Sequence, residues 1–222
     1  MTQLKPFSDH QRGLFTSIDG PSGAGKSTIV AHLSQLLVAD GEHVHTTAEP
    51  SNGVLGKIAR EMTETVTGPA LACLYAADRY HHLETEIKPH LDAGEIVLCD
   101  RYVPSALVMQ RFDGVDPAFL WALNSLADRP DLAVVLEGAP EVIAARLAER
   151  GAHNRFQLTP RSSHAEAHFY RQACDRLIQA GYDVLRVDIG ADDAHQIAVT
   201  IRNRLANFFA VREDHPPKTA TW

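Results

Sequence analysis

Gly20-Pro21-Ser22-Gly23-Ala24-Gly25-Lys26-Ser27 fits the spacing G-x-x-x-x-G-K-[ST], and its surroundings give the match its weight. Ahead of it, Gly13 to Asp19 is a short run rich in apolar and β-forming residues. Behind it, Ile29, Val30, Leu33, Leu36 and Leu37 recur at helical spacing until Asp40-Gly41. Strand, glycine turn and helix, in that order, make a cradle for polyphosphate. The glycines let successive backbone amides point into one concavity, and the helix beginning near Lys26 adds its positive end. Lys26 is expected to reach the β- and γ-phosphates. The Ser27 hydroxyl is expected to complete the shell of a magnesium ion.

Working outward, Val44 to Ala48 reads as a second strand, Gly56 to Val66 as a helix, and Pro69 to Leu91 as a longer helix or helix pair. Ile96-Val97-Leu98-Cys99, ending in Asp100, is a continuous apolar run of the kind buried on both faces of a parallel sheet. Leu132 to Leu136 is another. Helical patterns follow over Pro140 to Glu149, Ser163 to Ala180 and Ala194 to Phe209, with Val184 to Val187 as the last strand. This alternation predicts an α/β fold of three layers, with a parallel sheet of about five strands covered on both faces. Asp100, at a strand end, has the place of a second magnesium ligand, direct or through water; the alternative is a helix-capping aspartate. Residues 13–211 read as one domain, with 1–12 a flexible N-terminus and 212–222 a disordered tail.

The chain has 222 residues, 45% of them hydrophobic and 22% charged, which suits one globular core. Its N-terminal segment lacks the apolar stretch of a secretory signal, and no window is apolar enough to cross a bilayer, so a soluble cytoplasmic protein is expected. Cys73, Cys99 and Cys174 are far apart in apolar surroundings and read as reduced core thiols. Twelve histidines, His81-His82 among them, show no metal-ligand spacing and read as solvated or structural. A formal net charge of −7 argues against a nucleic acid polymer as partner, whereas a small anionic substrate needs only a local cluster of arginines and amides.

Further motifs narrow the function. Asp100-Arg101-Tyr102, followed by Ser105 and Gln110, resembles the D-R-Y-x-x-S segment of thymidylate kinases. Leu74-Tyr75-Ala76-Ala77-Asp78-Arg79 is similar to that family's L-F-A-A-D-R. Glu49-Pro50 with Leu55-Gly56 and Arg60 resembles its stretch after the second strand. Pro130 through Arg150-Gly151 and Asn154-Arg155 resembles its strand, helix and arginine-bearing lid, placed at about 148–160. The order and spacing agree from about Phe15 to about Leu205. The resemblance implies ATP as donor, held by Gly20, Pro21, Ser22, Gly23, Ala24, Gly25, Lys26, Ser27 and Thr28, with Mg²⁺ on Ser27 and Asp100. It implies a pyrimidine nucleoside monophosphate, dTMP, as acceptor, held by Glu49, Arg60, Tyr75, Arg79, Arg101, Ser105 and Gln110. Lys26, Arg101, Arg150 and Arg155 would stabilise the transferring phosphoryl. A homodimer is implied too, for which apolar helical faces around Ile58, Leu71 and Leu107 offer an interface.

Residue chemistry agrees with these roles. Tyr75 offers a flat face for a base, worth about 1–3 kcal/mol in stacking. Arg79 lies one helical turn away on the same face. Arg101 and Arg60 can hold a phosphate through two parallel hydrogen bonds, and Gln110 can pair with a pyrimidine edge. Departures gather on the acceptor side. Ser22 stands where the family usually has an acidic residue that contacts the sugar hydroxyl. Ala48 replaces an arginine, Ser51-Asn52 a glycine pair, Ala106 a Ser or Thr, and Met109 a tyrosine, while Asn154 and Gln157 replace acidic lid positions. Two other readings are open: a kinase of the same build acting on a different or modified pyrimidine nucleotide or a specialised-metabolite precursor, and an ATP-binding regulatory protein without an acceptor.

Overall fold

The computed structural model describes residues 12–151, 156, 160–190 and 193–214. Five strands form one sheet: β1 (Phe15–Asp19), β2 (Val44–Ala48), β3 (Ile96–Asp100), β4 (Leu132–Glu137) and β5 (Val184–Asp188). Their order is β2-β3-β1-β4-β5, and every pairing is parallel. β1 is central and all five of its residues are buried. The chain leaves β1 for β2 on one side and later reaches β4 on the other, so the loop after β1 sits at the switch point, where open α/β sheets bind ligands. Register brings Ile18 opposite Asp100 and Asp19 opposite Val135, so the ends of β1, β3 and β4 form one rim.

The strands alternate sides with period two. Leu14, Ile18, Leu98, Val134 and Leu136 face α1 (Lys26–Ala39) and α9 (Ala194–Asp214). Phe15, Val97, Cys99 and Val135 face the other layer, packing with Tyr102, Leu107, Tyr170 and Cys174. That layer is built from α2 (Val54–Met62), α3 (Gly68–His82), α4 (Lys88–Asp92), α5 (Val103–Met109), α6 (Pro117–Leu123) and α8 (Pro160–Gln179); α7 (Pro140–Arg150) follows β4. Two buried apolar layers flank the sheet, the predicted three-layer α/β fold.

Several boundaries differ from the sequence expectation for identifiable reasons. The segment expected as one long helix or a pair is α3 and α4 joined by a π-helical turn, Leu83–Ile87, closed by Lys88 N–H to the carbonyl of Leu83. Pro89 has no N–H to give and would crowd the carbonyl of residue 85, so the wider turn absorbs it. α2 starts at Val54 and stops at Met62 rather than Val66, where Thr63 bonds back to the carbonyl of Ala59 (2.8 Å) and the chain turns. α9 continues past Phe209 to Asp214, so residues 212–214 are helical rather than tail; Pro216 is the first breaker in the sequence. α5 and α6 had no counterpart in the expected elements. Cys73 is exposed, contrary to expectation, whereas Cys99 and Cys174 are buried free thiols. Burial pushes the Cys99 thiol up and lifts that of Cys174 to about 12. Leu71 and Leu107 are buried in the chain's own core, so of the three residues expected at a dimer contact only Ile58 is exposed.

Candidate functional site

The glycine turn curls as the motif requires. Gly20, Gly23 and Gly25 have φ of 146°, 91° and 84°, and a Cβ on Gly20 would lie 2.8 Å from that of Leu136. Only glycine combines that backbone with that approach. Gly25 then caps α1 in the left-handed conformation. Lys26 is 6% exposed and folds back on the loop, donating to the carbonyls of Gly20 and Pro21 at 2.9 Å each. Burial, and next the positive charge of Arg101, lower its pKa to about 7. Ser27 and Thr28 are exposed at the mouth of the loop.

Across the loop stands the end of β3. Arg101 is the one non-glycine among the described residues with positive φ (76°), held by its N–H to the carbonyl of Ile18 at 2.9 Å. Such a conformation costs of order 1–3 kcal/mol, and here it turns the side chain back over the rim. Arg101 Nη1 lies 3.5 Å from Ser105 Oγ. Burial works against its charge, but Tyr170, Asp100, Glu166 and Asp19 outweigh it and raise its pKa. Beside it, Ser27 Oγ donates to Asp100 Oδ2 at 2.5 Å, while Asp100 Oδ1 is buried with no hydrogen-bond partner among the described residues. A hydroxyl and a carboxylate with an uncommitted oxygen form a hard donor set that suits magnesium.

Three residues that the sequence reading did not single out complete this rim. Asp19, fully buried at the end of β1, accepts from Tyr102 N–H (2.9 Å), Ser105 N–H (3.0 Å) and Ser105 Oγ (2.6 Å) through Oδ1, and from Ser17 Oγ (3.0 Å) through Oδ2. Burial still raises its pKa against those bonds. Tyr170 Oη meets Ser105 Oγ at 3.0 Å. Glu166, 3% exposed on α8, accepts from Ser22 N–H (3.0 Å) and Ser22 Oγ (3.3 Å). The loop position that lacks the expected acid is thus faced by a carboxylate from another helix. Strand parity gave a signal for Asp19, which shares the face of Phe15 directly before the glycine turn. No local pattern announces Glu166.

The expected acceptor residues separate into two groups. Gln110 is 2% exposed, and among the described residues its Oε1 has no hydrogen-bond partner, which leaves a buried amide oxygen for a ligand. Tyr75 is half-buried, its Oη 2.8 Å from Thr63 Oγ1. By contrast, Arg79 is no open fork. It is 3% exposed, pairs with Glu49 at 2.6 Å, and donates to Asn124 Oδ1 and to the carbonyl of Tyr102 (3.2 Å). Glu49 is committed to Arg79 and to His82, 3.4 Å away. Asp78 turns to Ser51 and accepts its N–H (2.7 Å) and Oγ (2.6 Å). Exposed Arg60 braces the same loop through the carbonyls of Pro50 and Ser51. Arg155, Asn154, Gln157 and the side chain of Arg150 lie outside the described residues.

A phosphate loop at the switch point of a parallel sheet, opposed by an arginine just past the end of the neighbouring strand, defines a phosphate-loop nucleotide-binding α/β protein. Comparison with known proteins makes this specific: the family model described as Thymidylate kinase matches residues 18–189, and the chain belongs to that family. Among its relatives, a probable thymidylate kinase of Pyrobaculum aerophilum is 35% identical over 146 residues, covering 64% of this chain and 74% of that protein. The thymidylate kinase of Xanthomonas oryzae pv. oryzae is 38% identical over 158 residues, 70% and 67% of the two chains. A probable thymidylate kinase of Pyrococcus abyssi is 34% identical over 153 residues, 65% and 75%.

Proposed function

We propose that this protein is an ATP-dependent thymidylate kinase, moving the γ-phosphoryl of ATP onto the 5′-phosphate of dTMP to give dTDP. The observation that carries this reading is the left-handed Arg101, whose guanidinium faces the loop of Lys26 closely enough to help depress the lysine's pKa. A donor phosphate chain on the loop and an acceptor phosphate on Arg101 would share one rim. Among the described residues Gln110 Oε1 is left for the base, and the reading gives the half-buried ring of Tyr75 the role of its stacking face. The acceptor phosphate is already an anion near neutrality, so alignment and positive charge suffice and no strong general base is required. Lys26 and Arg101 spread that charge from opposite sides, and Arg150 and Arg155 are proposed to add theirs. Ser27 and Asp100 are the residues that would hold magnesium, which would supply positive charge against the charge developing in transfer.

Glu49 and Arg79 act here by shaping the wall behind the base, since their charges satisfy each other. Ser105, bound to Asp19, fixes the approach of Arg101. A homodimer is part of the reading, with exposed Val54 and Ile58 of α2 as its apolar contact. The buried thiols suit a reducing cytoplasm; among the described residues no helix is long and apolar enough to cross a membrane. The test is ATP with magnesium against a panel of dTMP, dUMP, dCMP, UMP, CMP and AMP. The expected result is the highest kcat/KM with dTMP. A better acceptor elsewhere in the panel would overturn the substrate, and ATP consumption indifferent to every acceptor would overturn the kinase.

A further inference from the structure

Away from the rim, α5, α6 and α8 converge on a second cavity of about 320 Å³, inside the range of small-molecule sites. Helical spacing aims each contributor at it. Leu107 and Arg111 come from α5 and the turn after it, Pro117, Ala118 and Trp121 from α6, and Ala173 and Arg176 from α8. The floor is apolar, and among the described residues no carboxylate lines the cavity. Both guanidinium groups lie on aromatic rings: Arg111 is 3.9 Å from the ring centre of Phe169 and Arg176 is 4.5 Å from that of Trp121. A guanidinium resting on a ring gives its face to the aromatic and keeps its in-plane N–H fork for an oxyanion. Neither arginine has an ion pair among the described residues, whereas Arg12, Arg79, Arg186, Arg202 and Arg204 are all paired with carboxylates. On a chain of net charge −7, two such cations stand together around one apolar cavity.

We propose that this cavity is a second ligand site, taking a small organic anion with a flat apolar body: its phosphate or carboxylate on the forks of Arg111 and Arg176, its ring against Trp121. Partial burial of Arg111, which lowers its pKa, fits a cation that gains from an anionic neighbour. The site shares none of the residues assigned to phosphoryl transfer, so it stands or falls independently of the kinase reading.

Trp121 is its own reporter once Trp222, the other tryptophan, is replaced by Phe. In that background the full chain is titrated with phenyl phosphate, benzoate and inorganic phosphate while Trp121 emission is followed. Saturable quenching by phenyl phosphate or benzoate is expected, the stronger of the two identifying the anionic head, with inorganic phosphate at least tenfold weaker. Arg111→Gln/Arg176→Gln should weaken the aromatic anion at least tenfold and leave kcat with ATP and dTMP unchanged. Arg176→Gln alone, at an exposed position, serves if the double variant does not fold. No saturable change with either aromatic anion up to millimolar concentration, or equal affinity in the variants, would overturn the proposal.

Discussion

Two buried ionisable residues carry most of the physics of the rim, and they respond to opposite changes. Lys26 sits near pKa 7 because burial and Arg101 disfavour its charge. A polyphosphate beside it favours that charge, so binding must raise the pKa. Above pH 7 the free protein has lost the proton that the complex holds. ATP binding should therefore take up close to one proton at pH 8, and apparent affinity should fall by up to about tenfold per pH unit above 7. Calorimetry in buffers of different ionisation enthalpy measures this directly; proton release on binding would contradict it, and Lys26→Met should abolish the uptake. Asp19 acts instead as a structural hub. Removing it leaves the N–H groups of Tyr102 and Ser105 and the hydroxyls of Ser17 and Ser105 without their acceptor. A buried donor left unsatisfied costs roughly 1–3 kcal/mol, so Asp19→Ala should lose at least about 2 kcal/mol in urea unfolding. An unchanged midpoint and slope would show that these bonds are dispensable.

Between elements, β2 is tied to α3 and the π turn by a chain of acids and histidines. Glu49 contacts His82, and His82 reaches Thr47 Oγ1 (2.8 Å) and Glu86 (3.5 Å); Glu86 in turn meets His45 at 3.0 Å. Burial opposes charge on His82, but its hydrogen bond to Glu49 and the charges of Glu49, Glu86 and Asp78 hold its pKa above the ordinary value of 6.5. A raised folded pKa stabilises fully below 6.5, and that contribution is lost as pH rises through the folded value. Unfolding free energy should decline over that window in the wild type and stay flat there in His82→Gln; parallel pH profiles would refute the role. His45 and His90 also approach Glu95, their rings stacked 3.5 Å apart at 9°. Legibility varied with the physics of each element. The buried strands and α1 were readable because apolar period and turn residues agree there. α5 was not, since six of its seven residues are buried and no face alternates. α6 hid behind its brevity, although Asp116 capping it through the N–H groups of Ala118 and Phe119, with Pro117 in its first turn, is a start signal visible in the sequence.

In the molecule as a whole, order along the sheet converts sequence-distant residues into one rim: β1 delivers Asp19 and the loop, β3 delivers Asp100 and Arg101, and α8 reaches over with Glu166 and Tyr170. The geometry of the glycine loop, proposed as the donor side, was legible because its residues are contiguous, from Gly20 to Thr28. The side proposed for the acceptor could be read as residue types but not as a network, because pairing of Arg79 with Glu49 joins residues thirty positions apart and the Glu166–Ser22 contact spans 144. If this rim has two cationic ends serving two different phosphates, the measurement that tests it most directly is steady-state kinetics of Arg101→Ala with ATP and dTMP varied in turn. KM for dTMP should rise at least about thirtyfold, corresponding to about 2 kcal/mol for a charged hydrogen-bonded contact, while KM for ATP stays within about threefold. An unchanged KM for dTMP, or an equal loss for both substrates, would contradict the two-ended rim.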